Sequence, residues 1–177
     1  ITAQADKQET GMSDLPEAAG SAAVTFAAVT LVPPSDGQSF VLTARQLWAG
    51  AQVLADSEIV TTLPGALLVA QALEGALKAV LWAAGRVASE LSRRPFGHDL
   101  EALWKASAES GLAVSAMPPD WCALLNTLHA PPFHGRYPSG MNGHVTPNAK
   151  QTVLDVEHVL SLAEDVVKTA TWRSPGA

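Results

Sequence analysis

One cysteine, Cys122, and one tyrosine, Tyr137, are all that 177 residues supply of those types. A single thiol excludes an intramolecular disulfide and is too little for a structural zinc site. Nothing in the cysteine usage points to an oxidising compartment, so a cytoplasmic setting is expected. Charge is also sparse, at 16% of residues, and its balance is −6. Residues 1–35 hold four acids and one base, half of that net charge, so the remainder is mildly acidic. An acidic chain lacks the broad cationic surface of a nonspecific duplex binder, which leaves only a local basic site for nucleic acid. Long apolar runs are missing too. Residues 18–35 end in Pro33-Pro34, and residues 59–73 are too short and too rich in Ala, Thr and Gly to span a bilayer, so no membrane segment is expected. No secretory signal is expected either, because Asp6, Glu9, Asp14 and Glu17 stand against a lone Lys7 before the apolar run. Neither a glycine-rich phosphate loop, nor a serine elbow, nor a paired-carboxylate signature occurs, which argues against P-loop, serine-hydrolase and two-carboxylate chemistry.

What is present is apolar side chain, 47% of the residues, enough for a sizeable core in one domain. Residues 1–38 read as an N-terminal tail rich in Ala, Ser, Thr and Gly, closed by the breakers Pro33-Pro34 and Asp36-Gly37. A short strand at 24–32 is a weak alternative within it. Met12 reads either as a natural start preceded by extra residues or as an internal residue of a fragment. From residue 39 to 172 the spacing predicts helices, and residues 173–177 form a second tail. A first helix over 42–56 follows from Phe40, Ala44, Leu47, Ala51 and Leu54 at intervals of three and four. A second begins near Pro64 and runs to Gly85, holding Ala66, Ala70, Leu73, Leu77, Val80, Leu81 and Ala84 on one face. Leu68 and Trp82 lie on its other side, so neighbours in the bundle or a second subunit should cover it on two faces.

Residues 93–97, Arg-Arg-Pro-Phe-Gly, break the pattern, and Asp99 supplies the cap for a third helix that stops near Gly111. The stretch from 63 to 111 is therefore a helical hairpin hinged at 93–100. A fourth helix over 120–129 follows Pro118-Pro119. Residues 130–147, with four prolines and three glycines, form a long irregular loop of the kind that is usually functional or mobile. A last helix over 148–171 carries Val153, Val156, Leu160, Ala163, Val167 and Ala170 on a near-heptad stripe. The prediction is an all-α, antiparallel four- to five-helix bundle behind a flexible tail.

Several residues suit chemistry, and each also has a structural explanation. Arg136, flanked by His134, Tyr137 and His144 in the long loop, offers phosphate contacts and a stacking ring; alternatively it binds loop carbonyls while Tyr137 packs on the last helix. Arg93 and Arg94, with Arg86, form either a local anion site or a solvated set. Glu74 and Lys78 read first as an ion pair at i,i+4. Asp99 is the helix cap, and His98 folds back toward the spine and Glu74. His129, His134 and His144 have no close-spaced partners, so no metal and no cofactor are expected. Cys122 sits on an apolar helix face and reads as buried core.

Ala-Leu-Glu-Gly-Ala-Leu-Lys-Ala at 72–79, Gly-His-Asp-Leu at 97–100, a third helix, Arg136-Tyr137-Pro138 and a final amphipathic helix follow in that order. This order, over residues 40–172, resembles the HEPN superfamily of small helical bundles. The resemblance implies a homodimer that binds RNA or nucleotide, often beside a nucleotidyltransferase or antitoxin partner in toxin and defence systems. It casts Glu74, Lys78, His98 and Asp99 as the structural motif; the ligand contacts, read from the residues themselves, are Arg136, Tyr137, His134, Arg93 and Arg94. Members that cut RNA carry an Arg followed, after four to six residues, by a His from each subunit. Arg136 and His144 are the catalytic candidates for a metal-independent ribonuclease, but seven residues separate them, one more than the pattern. Arg93 and His98 have four between them, yet sit in the hinge. The reading is therefore a binding domain in preference to an efficient nuclease, with the ribonuclease and a ligand-free dimerising bundle as alternatives.

Overall fold

The structure, a computed structural model, describes residues 34–57, 62–137, 139–140 and 142–173, with side chains described as far as Ala170. By its contacts the chain divides into Ile1–Val32 and Pro33–Ala177, and every described residue belongs to the second unit. The strand weighed at 24–32 lies outside the described residues, as do 174–177 and most of the expected tail. Among the described residues there are six helices and no strand, as the all-α reading expects. They are α1 (Asp36–Asp56), α2 (Thr62–Ala83), α3 (Ala88–Leu91), α4 (Leu100–Glu109), α5 (Asp120–His129) and α6 (Ala149–Arg173). The one-turn α3, inside the stretch between spine and hinge, was not expected.

Helix α1 starts six residues before the predicted position, inside what was expected to be tail. Asp36-Gly37 reads as a breaker, but Ser35 and Gln38 form a reciprocal cap that starts a helix there. The Ser35 hydroxyl accepts from the Gln38 amide at 3.3 Å, and the Gln38 side chain accepts from the Ser35 amide at 2.9 Å. Gly37 is buried in the first turn because the Trp82 ring lies where a Cβ would be, 2.2 Å from Trp82 Cε3.

Helix α2 is the spine, and α1, α6, α4 and α5 all pack on it. Leu73, Leu77, Val80 and Leu81 are fully buried with Leu103, Leu125 and Leu160 from the surrounding helices. Each such side chain contributes about 1.5–3 kcal/mol of apolar burial. This arrangement answers the two-face pattern of α2 within one chain. By length and composition α2 is apolar enough to cross a bilayer, yet 61% of its most apolar window is buried against other helices. Ala84, expected on the stripe, is exposed because the helix ends one residue earlier. Gly85 takes φ +97°, Arg86 N–H reaches Leu81 O at 3.0 Å, and Gly85 N–H reaches Trp82 O at 2.9 Å, the glycine-dependent helix stop.

Across the bundle, the Trp48 indole N–H donates to Val153 O at 2.9 Å and Arg45 pairs with Glu164 at 2.7 Å, joining α1 to α6. On α6, Val153, Val156, Leu160, Ala163 and Val167 are buried, matching the predicted stripe. Helix α5 spans the residues predicted for it, and Cys122 is buried on it.

Candidate functional site

The hinge sits where the sequence puts it, and two side chains explain its shape. Asp99 caps α4 by accepting from the Ala102 amide at 3.0 Å. Asn126 of α5 then bridges: its amide nitrogen donates to Asp99 and Glu101, both at 3.2 Å, and its oxygen accepts from Leu100 N–H at 2.8 Å. With α4 and α5 locked together, the two residues preceding the cap, Gly97 and His98, are pressed against α2.

Glu74 is the point they meet. Its Oε1 accepts from Lys78 Nζ at 2.5 Å, and the same ammonium donates to Gly97 O at 2.9 Å. Its Oε2 is contacted by His98 Nδ1 at 3.0 Å and by His129 Nε2. A carboxylate only accepts, so each ring carries its proton on the nitrogen facing Glu74. His129 is 1% exposed, and its other nitrogen, Nδ1, has no partner among the described residues. Burial pushes the Glu74 carboxyl up, but hydrogen bonds from His129 and Lys78, together with their charges, outweigh it and hold the group at about 2. Glu74 and Lys78 are therefore no surface pair: Lys78 is 7% exposed and the cluster ties α2, the hinge and α5 together.

This cluster forms the floor of a cleft of about 440 Å³ lined by Asp36, Ser39, Phe40, Thr43, Ala44 and Leu47 of α1, Gln71, Glu74, Gly75 and Lys78 of α2, Ala88 of α3, and by His98 and Arg136. Gly75 lets the helices close at its base, since a Cβ there would stand 3.0 Å from Ala44 Cβ and 3.2 Å from Phe40 O. Arg136 arrives from the long loop by a close approach of backbone to α5. Gly135 N–H donates to Leu128 O at 2.9 Å, and a Cβ on Gly135 would lie 2.6 Å from Leu67 Cδ2. Phe133, at φ +64°, turns its ring edge-on to His98 at 5.3 Å and lies under the Arg136 guanidinium at 5.6 Å. Arg136 has no ion pair to a described residue, whereas the charge of Lys78 is matched by Glu74.

Of the residues singled out in the sequence, Glu74, Lys78, His98 and Arg136 line one cleft and Asp99 anchors it. Arg93, Arg94 and Arg86 are exposed and are not among its lining; Arg86 instead lies over Phe96 at 5.5 Å. Tyr137 is 66% exposed, not packed on the last helix. His134 and His144 line a different cavity with Leu128 and Val145, so within one chain Arg136 and His144 face separate spaces. His129, Phe133 and Asn126 were missed as site residues. For His129 a signal existed: with Cys122 and Leu125 it completes a spacing of three and four on the buried face of α5.

Comparison with protein-family models, with curated proteins and with solved structures found no match.

Proposed function

We propose that this chain is a HEPN-like helical module whose α1–α2 cleft holds a nucleotide or a single-stranded RNA residue through its phosphate. The observation that carries the reading is the placement of Arg136. A guanidinium with no ion pair to a described residue lines a cleft that also has an apolar wall from Phe40 and Leu47, the amide of Gln71 and, at its edge, Asp36. A planar fork of donors suits a phosphate, and a ring-lined wall suits a base. The HEPN-like assignment is supported by the way its quoted motif residues meet: Glu74, Lys78, Gly97 and His98 form one contact set. In this reading those residues fix the hinge and shape the cleft floor, and Arg136 binds. A cytoplasmic homodimer with a nucleotidyltransferase or antitoxin partner belongs to the same proposal.

The test is fluorescence anisotropy of a labelled single-stranded RNA, with gel analysis of the recovered strand. Binding should weaken about tenfold or more in Arg136→Ala, the loss of one charge-assisted contact. It should be unchanged in His144→Ala, with the RNA recovered intact. Equal binding by wild type and Arg136→Ala overturns the proposal. Cleavage that depends on both Arg136 and His144 replaces it with the ribonuclease reading.

A further inference from the structure

Besides its place under the cleft, the Glu74 cluster has the composition of a metal site. Glu74 Oε2, His98 Nδ1 and His129 Nε2 lie within 4.8 Å of one another and come from three elements, α2, the hinge and α5. One carboxylate oxygen and two imidazole nitrogens form a ligand set favoured by zinc and by other late first-row divalent ions. Ligands held about 2.0–2.1 Å from one ion stand roughly 3.3 Å apart in a tetrahedron, so small side-chain shifts would seat a cation among these three atoms, each imidazole releasing the proton it shares with Glu74 as the ion takes its place.

Several neighbours already fix these groups, while His129 Nδ1 meets no partner among the described residues. Lys78 holds Oε1, the oxygen facing away from the imidazoles, and leaves Oε2 as a single ligand atom with fixed direction. His129 is locked in the last turn of α5 and His98 is braced by the Phe133 ring. The two imidazoles meet edge to face, with centroids 5.7 Å apart and planes at 83°. Glu74 and His98 also line the cleft, which leaves a further coordination position open on that side, as in sites that exchange water for a ligand. We infer that Glu74, His98 and His129 form a divalent transition-metal site, with zinc as the expected ion and one position open to the cleft. Lys78 stands beside the ion as a like charge, which weakens affinity and raises the preference for an anion as the fourth ligand.

The experiment uses the full chain stripped with a chelator and titrated with Co²⁺ alone, read by visible d–d absorption, and with Zn²⁺ alone, read by calorimetry. One ion per chain is expected, with the absorption band of four-coordinate Co²⁺. His98→Gln, at a side chain 38% exposed, should weaken binding by roughly tenfold or more, and His129→Gln likewise, with far-ultraviolet circular dichroism showing both variants folded. His144→Gln, in the other cavity, should leave binding intact. No band and no heat in wild type, or binding undiminished in His98→Gln, overturns the inference. Because neither nucleotide nor RNA is added, the outcome is independent of the phosphate reading.

Discussion

Replacing Lys78 with methionine removes a buried cation while keeping the length of its stem. Glu74 then loses its Lys78 partner and Gly97 O loses its donor. The surroundings hold Glu74 at about 2 against an ordinary value of 4.5. At about 1.4 kcal/mol per pH unit that difference is worth roughly 3 kcal/mol in favour of the folded anion. Lys78 shares this with His129, so its removal should forfeit about half, and the abandoned Gly97 carbonyl adds about 1 kcal/mol. The expected cost of Lys78→Met is therefore about 2–4 kcal/mol. Glu74→Gln should cost a similar amount, because Lys78 is then buried unpaired. The double variant should cost less than the sum of the two by roughly 1–3 kcal/mol, the coupling of a contacting pair. Urea unfolding followed by far-ultraviolet circular dichroism measures all three, provided the slopes agree. Additive costs, or a Lys78→Met change below about 0.5 kcal/mol, would refute the claim that this pair holds the hinge to the spine.

Gly37→Ala places a methyl into the Trp82 ring, 2.2 Å from Cε3, and should destabilise by about 1–3 kcal/mol despite the better helix former; an unchanged melting temperature contradicts this. Burial, with Glu101 and Asp99 nearby, pushes the Cys122 thiol up to about 12, so a disulfide reagent at mildly alkaline pH should label it only after unfolding. In chelator-treated protein, the stability due to ionised Glu74 is present above about 4.5, the unfolded value, and is lost as pH falls toward about 2. Urea midpoints should therefore drop more steeply with acid in wild type than in Glu74→Gln, and parallel curves would count against the hydrogen-bonded anion.

Most of the helices were legible because their apolar residues recur at three and four with recognisable ends. Gly85 and Asp99 mark their boundaries by backbone chemistry that operates within a few residues. The start of α1 was misplaced because Asp36-Gly37 carries a local breaker signal, and the Trp82 ring that makes the glycine useful lies on another helix. The same limit governs the site. The approach of His98 to Glu74 was foreseeable, since one hinge joins their helices. His129 and Phe133 reach the cluster by the packing of α5 and the following loop, a contact that spacing along the chain does not encode. Arg136 was singled out for the company of His134, Tyr137 and His144, yet it faces a cleft formed with α1 and α2.

A backbone amide NMR titration of the isotope-labelled chain with adenosine monophosphate tests the central claim most directly, because it reports both binding and its location. Perturbations should concentrate on Phe40, Leu47, Gln71, Gly75, His98 and Arg136, the residues that line the cleft, and should collapse in Arg136→Ala. Perturbations confined to Leu128, His134, His144 and Val145, the lining of the other cavity, or none at all with nucleotide in large excess, would contradict the account.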